Sequence, residues 1–367
     1  MEIYQSRIKK AQEMLSGLDF GLMALFPSSN MLYLSGFYDE PGERLLFLLV
    51  PREGDPVFLA PELYEHQVKQ ESPVQDVRIW KDSDGPINLL KRTLAELGLG
   101  DDRVLVDDRM WAAFLLTLKE VLPKASLELA SQVMVPLRMQ KTWDEINCLE
   151  RAGEMADRAF ENIVGLDITV MTELDLAAAL EEVMMKHGSE KIAFETLVAS
   201  GPNSALPHYR AGRRKIEPGD VVVLDYGCRY QGYCSDITRT VVCKATSEDI
   251  RAVYEIVERA QEMAVQAVRP GITAQEIDRI AREEITKAGY GERFIHRTGH
   301  GIGLDVHEEP YINDGNDLEL KEGMAFSVEP GIYLQGRFGI RIEDIVVVTE
   351  TGAKRMNLST HDLQVVG

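Results

Sequence analysis

The sequence predicts a mixed α/β (α+β) protein with two domains, and three observations carry this prediction. Short apolar runs alternate with helical patterns through the first third of the chain. A second series of elements begins at a helix-capping motif at Thr142. Within that series, two separate segments resemble each other. The length of 367 residues suits two domains, because soluble domains average roughly 150 residues.

The first domain is predicted to span residues 1–135. Apolar runs bounded by turn residues predict strands, and amphipathic stretches predict helices. The predicted strands are 21–26, 30–37, 45–50, 56–60, 103–106 and 127–133, and the predicted helices are 3–15, 87–97 and 110–122. The domain's one histidine, His66, has no cluster of metal-ligating or nucleophilic residues near it in the sequence. We therefore expect this domain to have a packing or dimer-forming role.

The second domain is predicted over residues 140–357 and begins at a capping box. The Thr142 hydroxyl can accept a hydrogen bond from the Glu145 amide, while the Glu145 side chain reaches back to the first residue. The pattern predicts a long helix that ends near Val164. The same motif recurs at Thr273 and Glu276, where it predicts a helix that ends near Lys287.

This second domain contains an internal repeat. Segment 217–227 matches segment 321–331 at an offset of 104 residues, with glycines at the same two positions. Upstream, 173–175 matches 276–278 at an offset of 103 residues. We infer two half-domains related by a pseudo-two-fold axis, both contributing to one central cleft. Chance similarity between short strands is the alternative.

Each repeat places two carboxylates on one predicted hairpin. A two-residue turn at Tyr230 and Gln231 would set Asp225 directly opposite Asp236 on one face, although Gly232 could shift the turn by one residue. A turn of odd length centred on Gly336 would make Glu329 and Glu343 cross-strand neighbours. The repeat would then bring four carboxylates to one cleft.

Four converging carboxylates indicate bound cations. Like charges that face each other on a sheet are destabilising, and burying an unpaired charge is costly. A solvated acidic face is the usual alternative, but Asp225 and Glu329 each follow an apolar strand. Two divalent cations would balance the four charges. His300, in the glycine-rich run 299–303, offers a fifth ligand, and oxygen ligands with one imidazole suit Mn²⁺, Co²⁺, Fe²⁺ or Zn²⁺.

Composition excludes several classes of protein. The chain has 40 basic and 60 acidic residues and a formal charge of −20, which argues against binding to nucleic acid or to an anionic membrane surface. Its 4 cysteines form no CxxC pair and are too few for a disulfide scaffold. No secretory signal and no apolar run near the ~20 residues of a membrane span is visible. We expect a cytoplasmic protein without nucleic-acid or membrane partners.

Four segments of the chain resemble a known family. These are LDYGCRYQGYCSDITRT, HRTGHGIGLDVHE, SVEPGIY and GIRIED, and they resemble the pita-bread metallopeptidases, most of all prolidase and aminopeptidase P, the Xaa-Pro peptidases. The run 30–37 is similar to the creatinase-type amino-terminal domain of that family. The resemblance covers essentially the whole chain. Creatinase itself shares the fold without the metals, and methionine aminopeptidase usually lacks the large first domain.

The resemblance implies a role for each candidate residue. The implied ligands of two divalent metal ions are Asp225, Asp236, His300, Glu329 and Glu343, with Asp236 and Glu343 bridging. The implied catalytic residues are His208, His307, Glu329 and Arg341, and the implied substrate-binding residues are His208, His307, Tyr333 and Arg341. Two simpler readings stay open, because His208 could cap a loop and Arg341 could serve only as a counter-ion for Glu343. A homodimer formed through the first domain is also implied, and Mn²⁺ is the first choice of metal, before Co²⁺, Zn²⁺ or Fe²⁺.

The implied reaction is hydrolysis of the peptide bond before proline. A metal pair lowers the pKa of a bridging water, and the resulting metal-bridging hydroxide attacks the carbonyl carbon. His307 or His208 would stabilise the oxyanion, and Glu329 would move the water proton. The implied substrate is a small peptide with proline at P1′, and the leading prediction is an Xaa-Pro dipeptidase.

Other functions stay open at this point. Some prolidases have an arginine at the position of Tyr311, where it can meet the carboxylate of the dipeptide, so an Xaa-Pro aminopeptidase acting on longer peptides is the nearest alternative. A non-catalytic binding protein is disfavoured, because it would be expected to lose metal ligands. A carboxylate-based hydrolase without metal would be unaffected by chelators.

Overall fold

The computed structural model describes residues 2–100 and 102–367, which form two compact units. The first unit ends at Arg138, and the second spans Met139–Gly367. Among the described residues, no helix has both the length and the apolar character that crossing a membrane requires.

The first unit is one mixed sheet with helices. The helices are α1 (Glu2–Gly17), α2 (Ser29–Ser35), α3 (Glu65–Glu71), α4 (Ile87–Glu96), α5 (Ala112–Val121) and α6 (Ser131–Met139). The strands are β1 (Leu22–Leu25), β2 (Phe47–Pro51), β3 (Val57–Pro61), β4 (Asp76–Trp80), β5 (Arg103–Val106) and β6 (Ser126–Leu129). Their order is β4-β3-β2-β1-β5-β6. The β1–β2 and β2–β3 pairs are antiparallel and the other pairs are parallel.

Two strand predictions in this unit were wrong. The run 30–37 lies in helix α2, which Ser28 caps by accepting a hydrogen bond from the Met31 amide and which ends at Gly36 with φ 77°. The run 127–133 is divided between the end of β6 and the start of α6. Both runs are short and apolar, and a buried helix of one or two turns has the same composition as a buried strand.

The second unit contains four long helices and several small sheets. Its helices are α7 (Trp143–Val164), α8 (Glu173–Lys186), α9 (Glu248–Ala267) and α10 (Ala274–Lys287). The strands of its first half are β7 (Leu197–Ser200), β8 (Val221–Tyr226), β9 (Arg229–Tyr230), β10 (Tyr233–Cys234) and β11 (Ile237–Cys243). Those of its second half are β12 (Gly299–Gly301), β13 (Glu308–Ile312), β14 (Ala325–Val328), β15 (Gly331–Leu334), β16 (Phe338–Arg341), β17 (Asp344–Val348), β18 (Ala353–Arg355) and β19 (Gln364–Val366).

The capping motifs behave as the sequence predicts. Thr142 and Thr273 each accept a hydrogen bond from the backbone of the glutamate three residues on, and each glutamate accepts one from the capping residue's amide. Thr172 forms a third capping box with Asp175 at the start of α8. Each box satisfies amides at a helix start that have no partner within the helix.

The internal repeat is present as two equivalent helix pairs and two equivalent sheets. Helices α7 and α8 pack together in the first half, and α9 and α10 in the second. Isolated bridges join Thr172 to Lys215 and Thr273 to Glu319, which are equivalent positions. The two helix starts are 101 residues apart (273 − 172), so the predicted offset of 103 residues for this part was wrong by two. The offset of 104 residues (325 − 221) does superpose the starts of β8 and β14.

The two halves contribute sheets that meet at the site described below. The sheet of the first half has the order β19-β11-β8-β7, in which β19 comes from the end of the chain, and the sheet of the second half has the order β13-β12-β14-β17-β18. The pairs β9–β10 and β15–β16 form separate hairpins. Buried aliphatic side chains fill the space between helices and sheets in each half, with Val222 and Leu224 in one core and Phe326 and Val346 in the other. These packed cores hold the strand ends rigidly, which places the polar residues that follow them.

Candidate metal centre

The first hairpin carries Asp225 and Asp236. Its turn lies one residue later in the chain than predicted, so the pairing of the two strands differs from the predicted one. Asp225 pairs with Thr238 across β8 and β11, so the prediction that it lies directly opposite Asp236 was wrong. The turn falls at Gln231 and Gly232, whose φ angles are 49° and 81°, and so the shift that Gly232 left open is the one observed. A turn that lies one residue later shifts the cross-strand partner of each residue by two positions. Because side chains two positions apart on a strand point to the same face, Asp236 stays on the face of Asp225 as a diagonal neighbour.

The second hairpin has the predicted register. Gly331 pairs with Arg341 in the β15–β16 hairpin, and Val328 pairs with Asp344 in the β14–β17 pair. Both pairings are those that would place Glu329 across from Glu343. The turn is centred on Gly336, which has φ 76°. The acidic side chains of the two hairpins therefore line one cavity.

Three buried side chains form the centre of the cluster. Ligand atoms of Asp236, His300 and Glu343 all lie within 4.8 Å of one another. The other two predicted ligands stand beside them: His300 Nε2 lies 3.3 Å from Glu329 Oε1 and 3.6 Å from Asp236 Oδ2. Asp225 lines the same cavity. The structure thus gathers five candidate ligands from both halves of the repeat.

The protonation of His300 favours a metal ligand over an ion pair. His300 Nδ1 is 3.1 Å from the Gly301 carbonyl oxygen, which can only accept, so we assign the ring proton to Nδ1. Burial, together with the neighbouring His307, lowers the pKa of His300 to about 3. The ring is therefore neutral near pH 7, and its Nε2 lone pair faces two carboxylates. A cation between these groups would make this arrangement favourable, because it would attract both carboxylates and accept the Nε2 lone pair.

The four carboxyl groups of the cluster have raised pKa values, because they are buried close to one another. Burial and the neighbouring acids raise the pKa of Asp236 and of Glu343 well above the ordinary values. Burial raises the pKa of Glu329 to about 7 and also raises that of Asp225. Asp225 Oδ1 and Glu343 Oε1 are buried without a hydrogen-bond partner. Unpartnered oxygens, clustered acids and a neutral imidazole together fit divalent cations.

Arg341 and Thr238 position the acids. The Arg341 guanidinium donates to Asp225 Oδ2 at 2.5 Å, to Thr238 Oγ1 at 3.0 Å and to the Tyr333 hydroxyl at 3.0 Å. The Thr238 hydroxyl in turn donates to Glu343 Oε2 at 2.6 Å. Arg341 is thus the ion-pair partner of Asp225, and Thr238 links it by hydrogen bonds to Glu343, whose pKa the guanidinium charge also lowers. Arg341 therefore serves as a counter-ion for Asp225 as well as for Glu343.

The acids lie in a cavity of about 320 Å³ that two further histidines line. His208 and His307 are both exposed on this cavity, and the ring centroid of His307 is 4.1 Å from that of His300. Tyr333 is buried and is not among the residues that line this cavity. Its hydroxyl contacts His296 Nε2 at 2.9 Å, while His296 Nδ1 lies 2.7 Å from the Arg297 carbonyl oxygen.

Comparison with known families decides the classification. Residues 147–350 match "Metallopeptidase family M24", and residues 7–140 match "Creatinase/Prolidase N-terminal domain". The chain belongs to metallopeptidase family M24. The M24 match covers the whole cluster from Asp225 to Glu343. The predicted membership of the creatinase-fold metallopeptidases, with a creatinase-type N-terminal domain and a C-terminal M24 domain, is confirmed.

Individual proteins are similar to this chain over nearly their full length. The Xaa-Pro dipeptidase of Lactobacillus helveticus is 37% identical over 98% of both chains. A crystal structure of prolidase from Thermococcus sibiricus has a TM-score of 0.94 and 44% identity, covering 98% of each chain. The X-Pro aminopeptidase of Thermotoga maritima has a TM-score of 0.85 and 36% identity, covering 97% of this chain and 99% of its own.

Three residues of this M24 site were missed in the sequence. Thr238 follows Asp236 by two positions on a strand and so shares its face, a signal that could have identified it. His296 and Arg297 lie in irregular chain before β12. No periodicity marks such residues, although their nearness to His300 in sequence was visible.

Proposed function

We propose that this M24 metallopeptidase hydrolyses Xaa-Pro dipeptides, using two divalent cations held by Asp225, Asp236, His300, Glu329 and Glu343. One observation supports the metal requirement most strongly: the buried ligand atoms of Asp236, His300 and Glu343 lie within 4.8 Å of one another, with Glu343 Oε1 unpartnered. The similarity to proteins named Xaa-Pro dipeptidase and prolidase supports the substrate. We take Mn²⁺ as the first choice of metal, with Co²⁺, Zn²⁺ and Fe²⁺ as alternatives.

The bound cations would supply a water of lowered pKa as the nucleophile and would polarise the scissile carbonyl. Glu329 faces the cavity beside His300 and receives the proton of the attacking water, which it can pass toward the leaving nitrogen. That nitrogen belongs to a tertiary amide and must gain a proton before it leaves. The Ser327 hydroxyl donates to Glu329 Oε1 at 2.9 Å and so fixes the orientation of this carboxylate.

His208, His307 and Arg341 line the cavity where the substrate would bind, and the predicted substrate-binding residue Tyr333 supports Arg341. The two histidines are exposed on the cavity, where an imidazole can donate to the oxygen on which negative charge develops. Arg341 and Tyr333 are buried, and the Arg341 guanidinium donates a hydrogen bond to the Tyr333 hydroxyl. They hold Asp225 and the cavity wall in place, and any contact with the substrate is made by the guanidinium edge that faces the cavity.

His307→Ala is expected to lower kcat for an Xaa-Pro dipeptide by about 10²–10³-fold, the loss typical of removing an oxyanion donor. KM and bound metal should change little, because His307 is placed beside the ligands rather than among them. Steady-state kinetics with metal analysis of the same preparation checks this. His187→Ala, an exposed histidine at the end of α8, serves as the control. Loss of metal from the His307 variant would instead make His307 a ligand.

A substrate panel tests the proposed function itself. We expect Mn²⁺-loaded protein to hydrolyse Ala-Pro faster than Ala-Pro-Ala, and to leave Ala-Gly largely uncleaved. A preference for Ala-Pro-Ala would make the enzyme an Xaa-Pro aminopeptidase, the second candidate, which the similarity to the Thermotoga maritima enzyme supports. Activity that chelators do not affect would contradict both candidates.

Two further expectations belong to this proposal. The first unit, whose described residues hold no metal-ligand group of three or more residues, is proposed to form a homodimer. The enzyme is proposed to act in the cytoplasm on small peptides.

A further inference from the structure

One buried carboxylate anchors the segment that carries His208. We call this segment, residues 200–212, the His208 loop. Glu173, the first residue of α8, is fully buried. Its two oxygens accept five hydrogen bonds of 2.7–3.0 Å from the described residues, all from the two ends of the His208 loop. The donors are the amide and the hydroxyl of Ser200, Nδ2 of Asn203, the hydroxyl of Tyr209 and the amide of Gly212.

These hydrogen bonds need a charged acceptor. Burial raises the pKa of Glu173, but the bonds from Asn203 and Ser200 lower it by more, so it lies below its usual value. The side chain is therefore an ionised carboxylate near pH 7, which only accepts hydrogen bonds. A carboxamide in its place would turn an NH₂ group toward either the Ser200 or the Gly212 amide. Because two donors cannot bond to each other, one end of the His208 loop would lose its anchor.

The His208 ring depends on this loop for its position. Within the described part of the chain, no group forms a hydrogen bond with the ring. The carbonyl oxygen of the preceding residue, Pro207, accepts a hydrogen bond from Arg341 at 3.3 Å, and Arg341 also binds the candidate metal ligand Asp225. Anchors at Pro207 and Tyr209 thus flank His208, whose side chain lines the cavity.

The second half of the repeat contains the same arrangement. Asp278, buried on α10, accepts hydrogen bonds from the Thr298 amide at 3.1 Å and from the Thr298 hydroxyl at 2.7 Å. Thr298 directly precedes β12, which carries the candidate ligand His300. In each half, a buried acid on the second helix therefore holds the amide and the hydroxyl of one residue shortly before a cavity histidine. This recurrence favours a role in placing the histidines over a role in packing alone.

We propose that Glu173 is a positioning residue, which holds the His208 loop so that the His208 imidazole meets the carbonyl oxygen of the substrate. The proposal rests on the proposed Xaa-Pro function, since it assumes that His208 acts on the substrate. Glu173 itself is buried and is not among the residues that line the cavity. Its five bonds fix the loop before the substrate arrives, so less conformational freedom is lost when the imidazole makes its contact.

The test compares Glu173→Gln with wild type, each loaded with Mn²⁺ and assayed with Ala-Pro. We expect kcat to fall by about 10–100-fold, because misplacing a reacting group by roughly 1 Å costs up to this much in rate. KM should stay within about threefold of wild type, and bound manganese should be unchanged. Glu182→Gln makes the same chemical change at an exposed acid of α8, and it should match wild type.

A double-mutant cycle separates positioning from a purely structural role. In protein that already carries His208→Ala, adding Glu173→Gln should lower kcat by less than about threefold, since the group that Glu173 positions is gone. Asn203→Ala removes one of the five donors. It should give a smaller loss with the same dependence on His208, and it carries the test if Glu173→Gln does not fold. Equal factors in the two backgrounds, loss of manganese, or an unchanged kcat would each overturn the proposal.

Failure of the proposed function would be seen separately. If wild-type protein that contains manganese hydrolyses no Xaa-Pro peptide, the Xaa-Pro assignment is wrong. Hydrogen–deuterium exchange of the His208 loop then decides the role of Glu173. Faster exchange in Glu173→Gln than in wild type, confined to this loop, would support the positioning role, and equal exchange would refute it.

Discussion

Asp236→Asn is expected to abolish peptidase activity, with a fall in kcat/KM of at least about 10³-fold. Asp236 is buried at the centre of the cluster, with candidate ligand atoms of His300 and Glu343 within 4.8 Å. Replacing the carboxylate by an amide removes one negative charge and one strong oxygen ligand. Losing several kcal/mol of transition-state stabilisation has this effect, because each 1.36 kcal/mol is a factor of ten in rate.

The same variant should separate a metal role from a structural one. In metal-free protein the Asp236 carboxylate adds to the repulsion among the acids, so Asn should make the metal-free fold more stable than that of wild type. Metal analysis, kinetics and thermal unfolding of metal-free samples check this. Glu195→Gln removes an exposed acid from the same cavity and should retain metal and activity. Full metal content and a normal rate in Asp236→Asn would refute the ligand assignment.

Removal of metal is expected to inactivate the enzyme and to make its stability fall as pH rises from 6.5 to 8. In the metal-free protein, burial raises the pKa of Glu329 to about 7, and burial with neighbouring acids raises those of Asp236 and Glu343 well above ordinary values. The folded state then binds more protons than the unfolded state, in which acids ionise near pH 4. The stability that these acids contribute is therefore complete below that pH and is lost as pH rises through the folded pKa values.

Two buried histidines act in the opposite direction across this pH window. Burial lowers the pKa of His300 to about 3 and that of His296 to about 4, so both rings are neutral in the folded state, whereas in the unfolded state each is about half protonated at pH 6.5. Each ring therefore adds about 0.4 kcal/mol of stability between pH 6.5 and pH 8, which is smaller than the loss expected from the acids. Although burial opposes it, Arg239 and His361 hold the pKa of Asp344 below its usual range, and its contribution is constant above pH 5.

The expected change is measurable by thermal unfolding. A carboxyl group that stays protonated across 1.5 pH units changes the free energy of unfolding by about 2 kcal/mol, which corresponds to a fall in Tm of roughly 4–8 °C for a unit of this size. Metal-free Asp236→Asn should show a smaller fall, since one of the acids is gone. Metal-free wild-type protein that is equally stable at pH 6.5 and pH 8 would contradict the raised pKa values.

Local signals in the sequence predicted much of the fold and part of the site. Thr142 and Thr273 begin helices because each hydroxyl satisfies an amide at the helix start. The register that faces Glu329 toward Glu343 follows from a turn centred on Gly336, where a positive φ suits glycine.

The errors have physical causes that can be named. The first hairpin turns at Gln231 and Gly232, both with positive φ, because a two-residue hairpin turn favours glycine at its second position, and the predicted turn at Tyr230 and Gln231 left Gly232 out of the turn. The run 30–37 is a helix because a serine cap and a C-terminal glycine outweigh its strand-like composition. His296 and Arg297 acquire their neighbours, Tyr333 and Tyr311, only through the tertiary fold.

An anomalous difference map from crystals soaked in manganese tests the central claim most directly. The claim is that these buried acids converge because they share two cations. We predict two strong peaks per chain, both enclosed by Asp225, Asp236, His300, Glu329 and Glu343. A map without peaks, in which the same side chains turn away from one another toward solvent, would contradict the assignment of a metal centre.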